Sequence, residues 1–509
     1  MVLALFVGSA ILASAQAPRT QANTRSLSLQ ECIDLALNKN LDLKIQQASA
    51  EIARLTLTGA YAAYVPNFSI SARHDFVSQP PDFDPKKPGI DSPYEVKTDL
   101  LTSELKGRMP FGLSYDLSAL GGEHDARTDF RLLPNTARDY PGGIRRTNDY
   151  FSEAGLTLNQ HLLRDFWIDS YRQTILLRRK DLKISGYALQ FQVMRTVLGV
   201  ELAYYDFVAA REGLAVQEKA LQLKQQFVAE TKRRVEVGEL PPLESEQAET
   251  QLENTLTALA GARQVLVESQ NLLKALITDS FQEWVDTEIT PSDRLLAVPA
   301  EANRGVSFHS ALKNRPDLLE VRLALEKSDI EIRFRRNQLF PNLDAIGHYG
   351  GQGISPELSG SASDTVHFRN PIYFYGVVMS FPLSNLKERS DYRASKAFRE
   401  IAQLQLDKAE QAILLDVANY LTRVQSRFSQ VGSTRKARQY AESALEAEQK
   451  KLQNGYSTTF IVLQLQETLT AARTAEVLAL ADYNKALAQL DFTRGITLAK
   501  YHLDGQARE

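Results

Sequence analysis

The feature that most constrains this chain is that it is written twice. Ala36-Leu37-Asn38-Lys39-Asn40-Leu41-Asp42-Leu43 returns as Ala311-Leu312-Lys313-Asn314-Arg315-Pro316-Asp317-Leu318, an offset of 275 positions. The same offset carries Glu51 onto Glu326, Leu57 onto Ile332, Pro66 onto Pro341 and Asn67 onto Asn342 without a gap. Self-similarity held in one register marks a structural unit used twice, so whatever one copy folds into, the other must repeat.

Each copy changes its hydrophobic period at the shared proline. Before it the residues are low in Gly and rich in Ala, Leu, Glu, Gln, Lys and Arg, a helical composition that the proline stops. After Pro66, Phe68, Ile70 and Ala72 alternate with Ser69, Ser71 and Arg73; after Pro341, Leu343, Ala345, Gly347 and Tyr349 alternate with Asp344, Ile346 and His348. These are strands with one apolar face. Ala154, Leu156 and Leu158 supply a partner in the first copy, and Tyr375, Val377, Met379 and Phe381 in the second, so each copy is expected to contribute a hairpin of spanning length. Segments heavy in Pro, Gly, Asp and Arg, namely Ser78 to Asp99, Gly121 to Asn148 and Gly350 to Asn370, read as exposed loops. The first copy holds a further alternating pair, Leu101 to Arg108 and Phe111 to Ala119, whose place relative to the other strands the sequence leaves open.

From about Leu162 to Val237 and from about Leu386 to Asn454 the chain turns helical for nearly 70 residues, roughly 100 Å at 1.5 Å per residue, which calls for coiled-coil packing. Both helices end at a glycine, Gly238 and Gly455, suited to the left-handed residue that closes a helix. A second helix follows each: one has Pro241-Pro242 in its first turn and runs to about Ile277, and the other, which Ser457 or Thr458 can cap, runs to about Arg494. The stretch Asp279 to Gly305 breaks both periods and links the copies. The expected organisation is a signal segment at 1–15, a first repeat at 16–278 (strand region 66–161, helical hairpin 162–278), and a linker at 279–305. A second repeat at 306–495 (strand region 341–383, helical hairpin 386–495) and a tail at 496–509 complete it.

The totals exclude several classes. Among 509 residues, 59 basic and 62 acidic leave no field to attract nucleic acid, and no nucleic-acid partner is expected. Met1 to Ala17 reads as a secretory signal, with an apolar stretch Val2 to Leu12 and small residues Ala13-Ser14-Ala15, although no basic residue precedes that stretch. Cys32 is the only cysteine, which rules out an intrachain disulfide and assigns it to helix packing. No later run of about 18 apolar residues exists, so an ordinary membrane-spanning helix is not expected.

One hairpin per copy makes four strands per chain, and an open four-stranded sheet in lipid leaves edge groups unsatisfied at several kcal/mol each. A barrel closes at about eight strands or more, so copies must associate, and three would supply about twelve.

A duplicated order of helix, Pro-Asn, strand and long helix with a Val-Gly tip resembles the TolC family of outer-membrane efflux proteins, over nearly the whole chain. The resemblance implies an α+β membrane protein whose β-hairpin and long coiled-coil helices form a homotrimeric twelve-stranded β-barrel continued by a periplasmic α-helical barrel. It also implies partners: a periplasmic adaptor, an inner-membrane pump and outer-membrane lipid. Tip turns Val237-Gly238-Glu239-Leu240 and Asn454-Gly455-Tyr456-Ser457 match where the family meets adaptors, although each glycine is equally an ordinary helix end. Glu239 and Pro241-Pro242 depart from the family's first tip, and Asn454 from its second. Where family members can carry an aspartate ring past the second tip, this chain has Ile461 and Gln464. Glu244 and Gln247 past the first tip complete the candidate entrance constriction, and Glu246 and Glu249 are further acidic residues there, for which a solvated helix face is the plainer reading.

Other chemistry lacks a signature. The seven histidines are scattered without a His-x-x-x-His pair, so no metal site or cofactor is expected. Gly350-Gly351-Gln352-Gly353 follows a strand and opens no helix, so it reads as an inter-strand loop and not a phosphate cradle. No Gly-x-Ser-x-Gly elbow or paired acid and base nominates an enzyme. Arg145-Arg146, Arg178-Arg179-Lys180 and Arg335-Arg336 are expected to be solvated or to pair between subunits. The competing class is a periplasmic coiled-coil adaptor, which explains the helical hairpins but not the alternating strands.

Overall fold

The computed structural model describes residues 24–79, 94–129, 143–299 and 303–503. The expected signal segment and the last residues of the tail lie outside them. In chain order the elements are β1 (Thr24–Leu27), α1 (Leu29–Lys39), α2 (Leu41–Ala60), β2 (Asn67–Gln79), β3 (Tyr94–Arg108), β4 (Leu113–Asp129) and β5 (Ile144–His161). They continue with α3 (Ser170–Glu236), α4 (Pro242–Ile277), α5 (Phe281–Trp284), β6 (Glu288–Pro291), α6 (Arg304–Asn314), α7 (Pro316–Asn337), β7 (Asn342–Ser355) and α8 (Leu358–Val366). The chain finishes with β8 (Asn370–Ser380), α9 (Leu386–Gln453), α10 (Thr459–Thr493) and α11 (Thr497–Lys500).

The duplication is visible element by element. α1 stops at Lys39 and α6 at Asn314, α2 begins at Leu41 and α7 at Pro316, and β2 and β7 begin at Asn67 and Asn342, each pair 275 positions apart. The helical segment before the proline is thus two helices, broken at Asn40 and Arg315, both with extended backbone. Arg315 is driven there by the proline that follows it. Asn40 is held by its own amide, which donates to the Leu276 carbonyl and accepts from the Leu43 N–H.

The described residues form two compact units, each drawing on both copies. The first comprises residues 48–188 and 317–410 and contains one antiparallel sheet of order β2-β3-β4-β5-β7-β8. This corrects two expectations. The sheet has six strands and not four, because the pair first seen at Leu101 to Arg108 and Phe111 to Ala119 lies inside it, between β2 and β5. The loops are also shorter than their composition suggests. Tyr94–Asp99, Gly121–Asp129 and Ile144–Asn148 are strand, while 80–93 and 130–142 lie outside the described residues.

Gly350-Gly351-Gln352-Gly353 is likewise strand β7 and not a loop. Its glycines let α8 lie close, since a Cβ at Gly353 would stand 2.1 Å from the Ser361 carbonyl oxygen. The segment 162–169 is not helical as expected. It is an irregular turn tied to β7 through the Leu162 N–H and the Leu343 carbonyl.

In the same unit Arg178, Arg179, Lys180 and Arg335 of the basic clusters find partners within the chain. Lys180 meets Glu326, Lys327 meets Asp181 at 2.5 Å, Arg179 donates to the Tyr61 hydroxyl, and Arg335 bridges Glu331 and Asp391.

The second unit comprises residues 24–47, 189–316 and 411–503. Its core gathers Cys32, Ile33 and Ala36 of α1, Val197, Val200, Tyr204 and Phe207 of α3, and Leu273 and Ile277 of α4. Trp284 and Ile289 of the inter-repeat segment and Leu498 of α11 pack into it. Burial pushes the Cys32 thiol up to about 12, as befits a packing residue. β1 pairs in parallel with β6, so the linker holds a strand of its own.

Candidate functional site

The two helical hairpin tips close in the same way for the same reason. At the first, Gly238 takes φ +76, a conformation costly for any residue with a Cβ. The Gly238 N–H donates to the Val235 carbonyl at 3.0 Å and the Glu239 N–H to the Arg234 carbonyl at 2.8 Å. At the second, Gly455 takes φ +77, with the Gly455 N–H on Leu452 at 3.1 Å and the Tyr456 N–H on Lys451 at 2.9 Å. Both are paired-bond helix terminations that satisfy carbonyls otherwise left without partners.

Side chains then brace each turn. The Arg234 guanidinium reaches Glu239 at 2.6 Å, holding that carboxyl below the usual Glu range. Pro241 stands at the N-cap of α4 with Pro242 behind it, where a missing N–H costs nothing. At the second tip the Ser457 hydroxyl donates to Glu448 at 2.5 Å and Lys451 pairs with Glu448 at 2.9 Å. These two contacts, Ser457 first, hold the Glu448 carboxyl low. Thr458 takes the N-cap backbone of α10, yet neither it nor Ser457 makes the expected capping bond. What each tip presents outward is one apolar side chain, Val237 at 76% exposure and Tyr456 at 85%.

Past the tips, Ile461 and Gln464 are exposed on one face of α10, while Val462, Leu463 and Leu469 turn inward. On α4, Gln247 is exposed and Glu244 half-buried, and Glu249 is engaged by Lys232 at 2.6 Å. The braces Arg234 and Glu448 went unread in the sequence. An Arg and a Glu five apart around a helix-ending glycine was a usable signal for the first, and nothing marked the second.

The sheet carries a second candidate surface. One row of paired residues crosses all six strands: Phe68, Leu105, Leu117, Leu156, Tyr349 and Tyr373. Every one is apolar or aromatic, and Phe68, Leu117, Leu156, Tyr349 and Tyr373 are exposed. The row one residue along β2 faces the other way and reads Asn67, Lys106, Asp116, Thr157, His348 and Phe374. Lys106 there pairs with Glu104 at 2.6 Å and Asp116 at 3.5 Å. At these rows the sheet is apolar on one face and mainly polar and charged on the other, the pattern of a membrane β-wall around water. Among the described residues no three of His, Cys, Asp or Glu gather as metal ligands.

Residues 308–495 match the family model described as outer membrane efflux protein. The outer membrane efflux protein BepC of Brucella suis biovar 1 is 22% identical over 398 residues, covering 76% of this chain and 82% of its own. The cation efflux system protein CusC of Escherichia coli K12 is 25% identical over 256 residues, 50% of this chain and 51% of its own. Among solved structures, the CmeC outer membrane channel of Campylobacter jejuni superposes with a TM-score of 0.66 at 15% identity, over 94% of this chain and 89% of its own. The outer membrane protein VceC of Vibrio cholerae gives 0.64 at 16%, over 92% and 96%. The fold is that of an outer-membrane channel protomer. Over residues 308–495 the chain is similar to the outer membrane efflux proteins, and the relatives it resembles are outer-membrane components of efflux systems.

Proposed function

We propose that this protein is the outer-membrane channel of a tripartite efflux or type I secretion system, passing small molecules or proteins outward from the periplasmic side without performing chemistry. The observation that carries this is the apolar row from Phe68 to Tyr373 backed by the polar row from Asn67 to His348. A single sheet of this kind has two open edges, β2 and β8, which lipid does not tolerate. A cyclic homotrimer joins β8 of one copy to β2 of the next and leaves no edge.

The helical hairpins reach into the periplasm, where the tips at Val237–Leu240 and Asn454–Ser457 meet an adaptor coupled to an inner-membrane pump. Exposed Val237 and Tyr456 are the apolar knobs that such a contact buries. The entrance rests closed, lined by Ile461, Gln464, Glu244 and Gln247, and opens by movement of the hairpins. A free-standing coiled-coil adaptor, the competing class, has no use for an exposed apolar row six strands wide.

Fractionation and planar-bilayer recording test this together. Heat-modifiable trimers in the outer membrane with discrete conductance steps are expected, and a soluble, non-conducting monomer would sink the proposal.

A further inference from the structure

We infer that the β3–β4 hairpin is built into the membrane wall, so that each copy supplies six strands and a trimer closes an eighteen-stranded barrel. The inference rests on the channel reading above and adds the bore to it.

Three observations carry it. The first is continuity of pairing: all of β2 from Asn67 to Gln79 bonds to β3, and β4 from Leu113 to Asp129 bonds to β5. β2 and β5 have no pairing with each other, so lifting the hairpin out would strip β2 of its ladder and β5 of the one on its β4 side in lipid. The second is the side-chain pattern. Leu105 and Leu117 stand in the apolar row between Phe68 and Leu156, and Lys106 and Asp116 stand in the polar row between Asn67 and Thr157. The hairpin therefore faces lipid and water as its neighbours do. Its Met109–Gly112 turn is tight, with Gly112 at φ +92, as expected of turns on the periplasmic side.

The third is that aromatic rings over glycines pin successive junctions. Tyr115 covers Gly107 between β3 and β4, Phe151 covers Gly122 between β4 and β5, and His348 covers Gly155 between β5 and β7. Such pairs specify register, so the hairpin is locked in on its own account and on its β5 side.

Six is even, so β8 meets the next copy's β2 antiparallel and the ring closes. At a spacing of ~4.8 Å and a tilt of ~40°, eighteen strands enclose a backbone circle about 36 Å across, against about 24 Å for twelve. Side chains narrow both by the same amount, so the free bore grows by more than that ratio. The hairpin also brings Glu104, Lys106 and Asp116 to the polar face. The outward mouth thus suits bulky, hydrated solutes.

Ile70, Ser103, Ala119 and Ala154 lie in one row on β2, β3, β4 and β5. In a full-length Cys32→Ser background in outer membranes, cysteine pairs at 70/103 and 119/154 are expected to crosslink on mild oxidation. The pair at 70/154 is not, being separated by about 14 Å, three strand spacings, when a disulfide spans roughly 7 Å between Cα atoms. Cryo-electron microscopy of trimers in nanodiscs is expected to count eighteen strands. A 70/154 crosslink, or a twelve-stranded wall, overturns the inference and leaves the channel intact. A chain that forms no outer-membrane trimer removes both.

Discussion

Arg234 and Glu239 clasp the first hairpin tip, the guanidinium and carboxylate 2.6 Å apart on either side of the left-handed Gly238. The backbone termination beneath them is complete without the pair, which makes the ion pair a brace and the glycine the hinge.

The two parts should separate experimentally. Gly238→Ala is expected to cost about 1 kcal/mol locally, read as faster amide exchange at residues 237–240 with the sheet unaffected. Glu239→Gln is expected to speed exchange at pH 7 by less, to the loosened level that the wild type reaches in acid. Because the folded-state carboxyl titrates below its ordinary value, its stabilisation is present above the usual Glu range and is lost as pH falls through the lowered value. Acid should therefore loosen the wild-type tip and have no such effect in Glu239→Gln. An equal response in both would remove the brace.

A second prediction compares neighbouring glycines on β4. A Cβ at Gly122 would stand 2.3 Å from the Asp99 carbonyl oxygen and 2.7 Å from the Phe151 ring, whereas at Gly121 the nearest atom is 3.8 Å away. Gly122→Ala is expected to reduce heat-modifiable trimer several-fold, and Gly121→Ala to leave it near wild type. Equal yields would show that the Phe151 junction is loose.

Buried Glu201 provides a third. It accepts from the Tyr501 hydroxyl at 2.6 Å and from Lys500 at 3.1 Å, and burial raises its carboxyl pKa despite them. Lys500→Ala strands that carboxylate, at a cost of about 2 kcal/mol, below the value for a fully buried pair because the lysine is 39% exposed. An acid whose folded pKa is raised stabilises at low pH and loses that contribution as pH climbs. The variant should therefore melt closer to wild type at pH 5 than at pH 8, and adding Glu201→Gln should flatten the difference. A pH-independent loss would point to packing alone.

Much of this was legible because local chemistry settled it. The shared prolines placed the Asn67 and Asn342 strand starts, and Gly238 and Gly455 placed the tips, whereas the breaks after Lys39 and Asn314 inside each expected helix were not read. Where partners are distant in sequence, the residues gave no hint. β1 is too short to show a period and exists through its pairing with β6. The outer parts of β4 and β5, with Gly121-Gly122, His124, Arg145 and Arg146, are polar on both faces and look like loop until their long ladder is seen. Ser457 reads as a cap, yet Glu448 on the preceding helix captures its hydroxyl.

A fourth prediction concerns the entrance. Ile461 and Gln464 share an exposed face of α10. In a trimer Gln464→Asp sets three carboxylates around one axis, and millimolar divalent cations are expected to block a current that is insensitive to them in the wild type. Unchanged sensitivity would place Gln464 off the conducting path.

The ladder between β5 and β7 joins the first copy of the repeat to the second along twelve paired positions, from Tyr150–Ser355 to His161–Asp344. Carrying both copies on one polypeptide makes this seam a junction guaranteed by covalent tether and not by concentration, and it lets the two copies differ. The β3–β4 pair, present in the first copy alone, is one such difference.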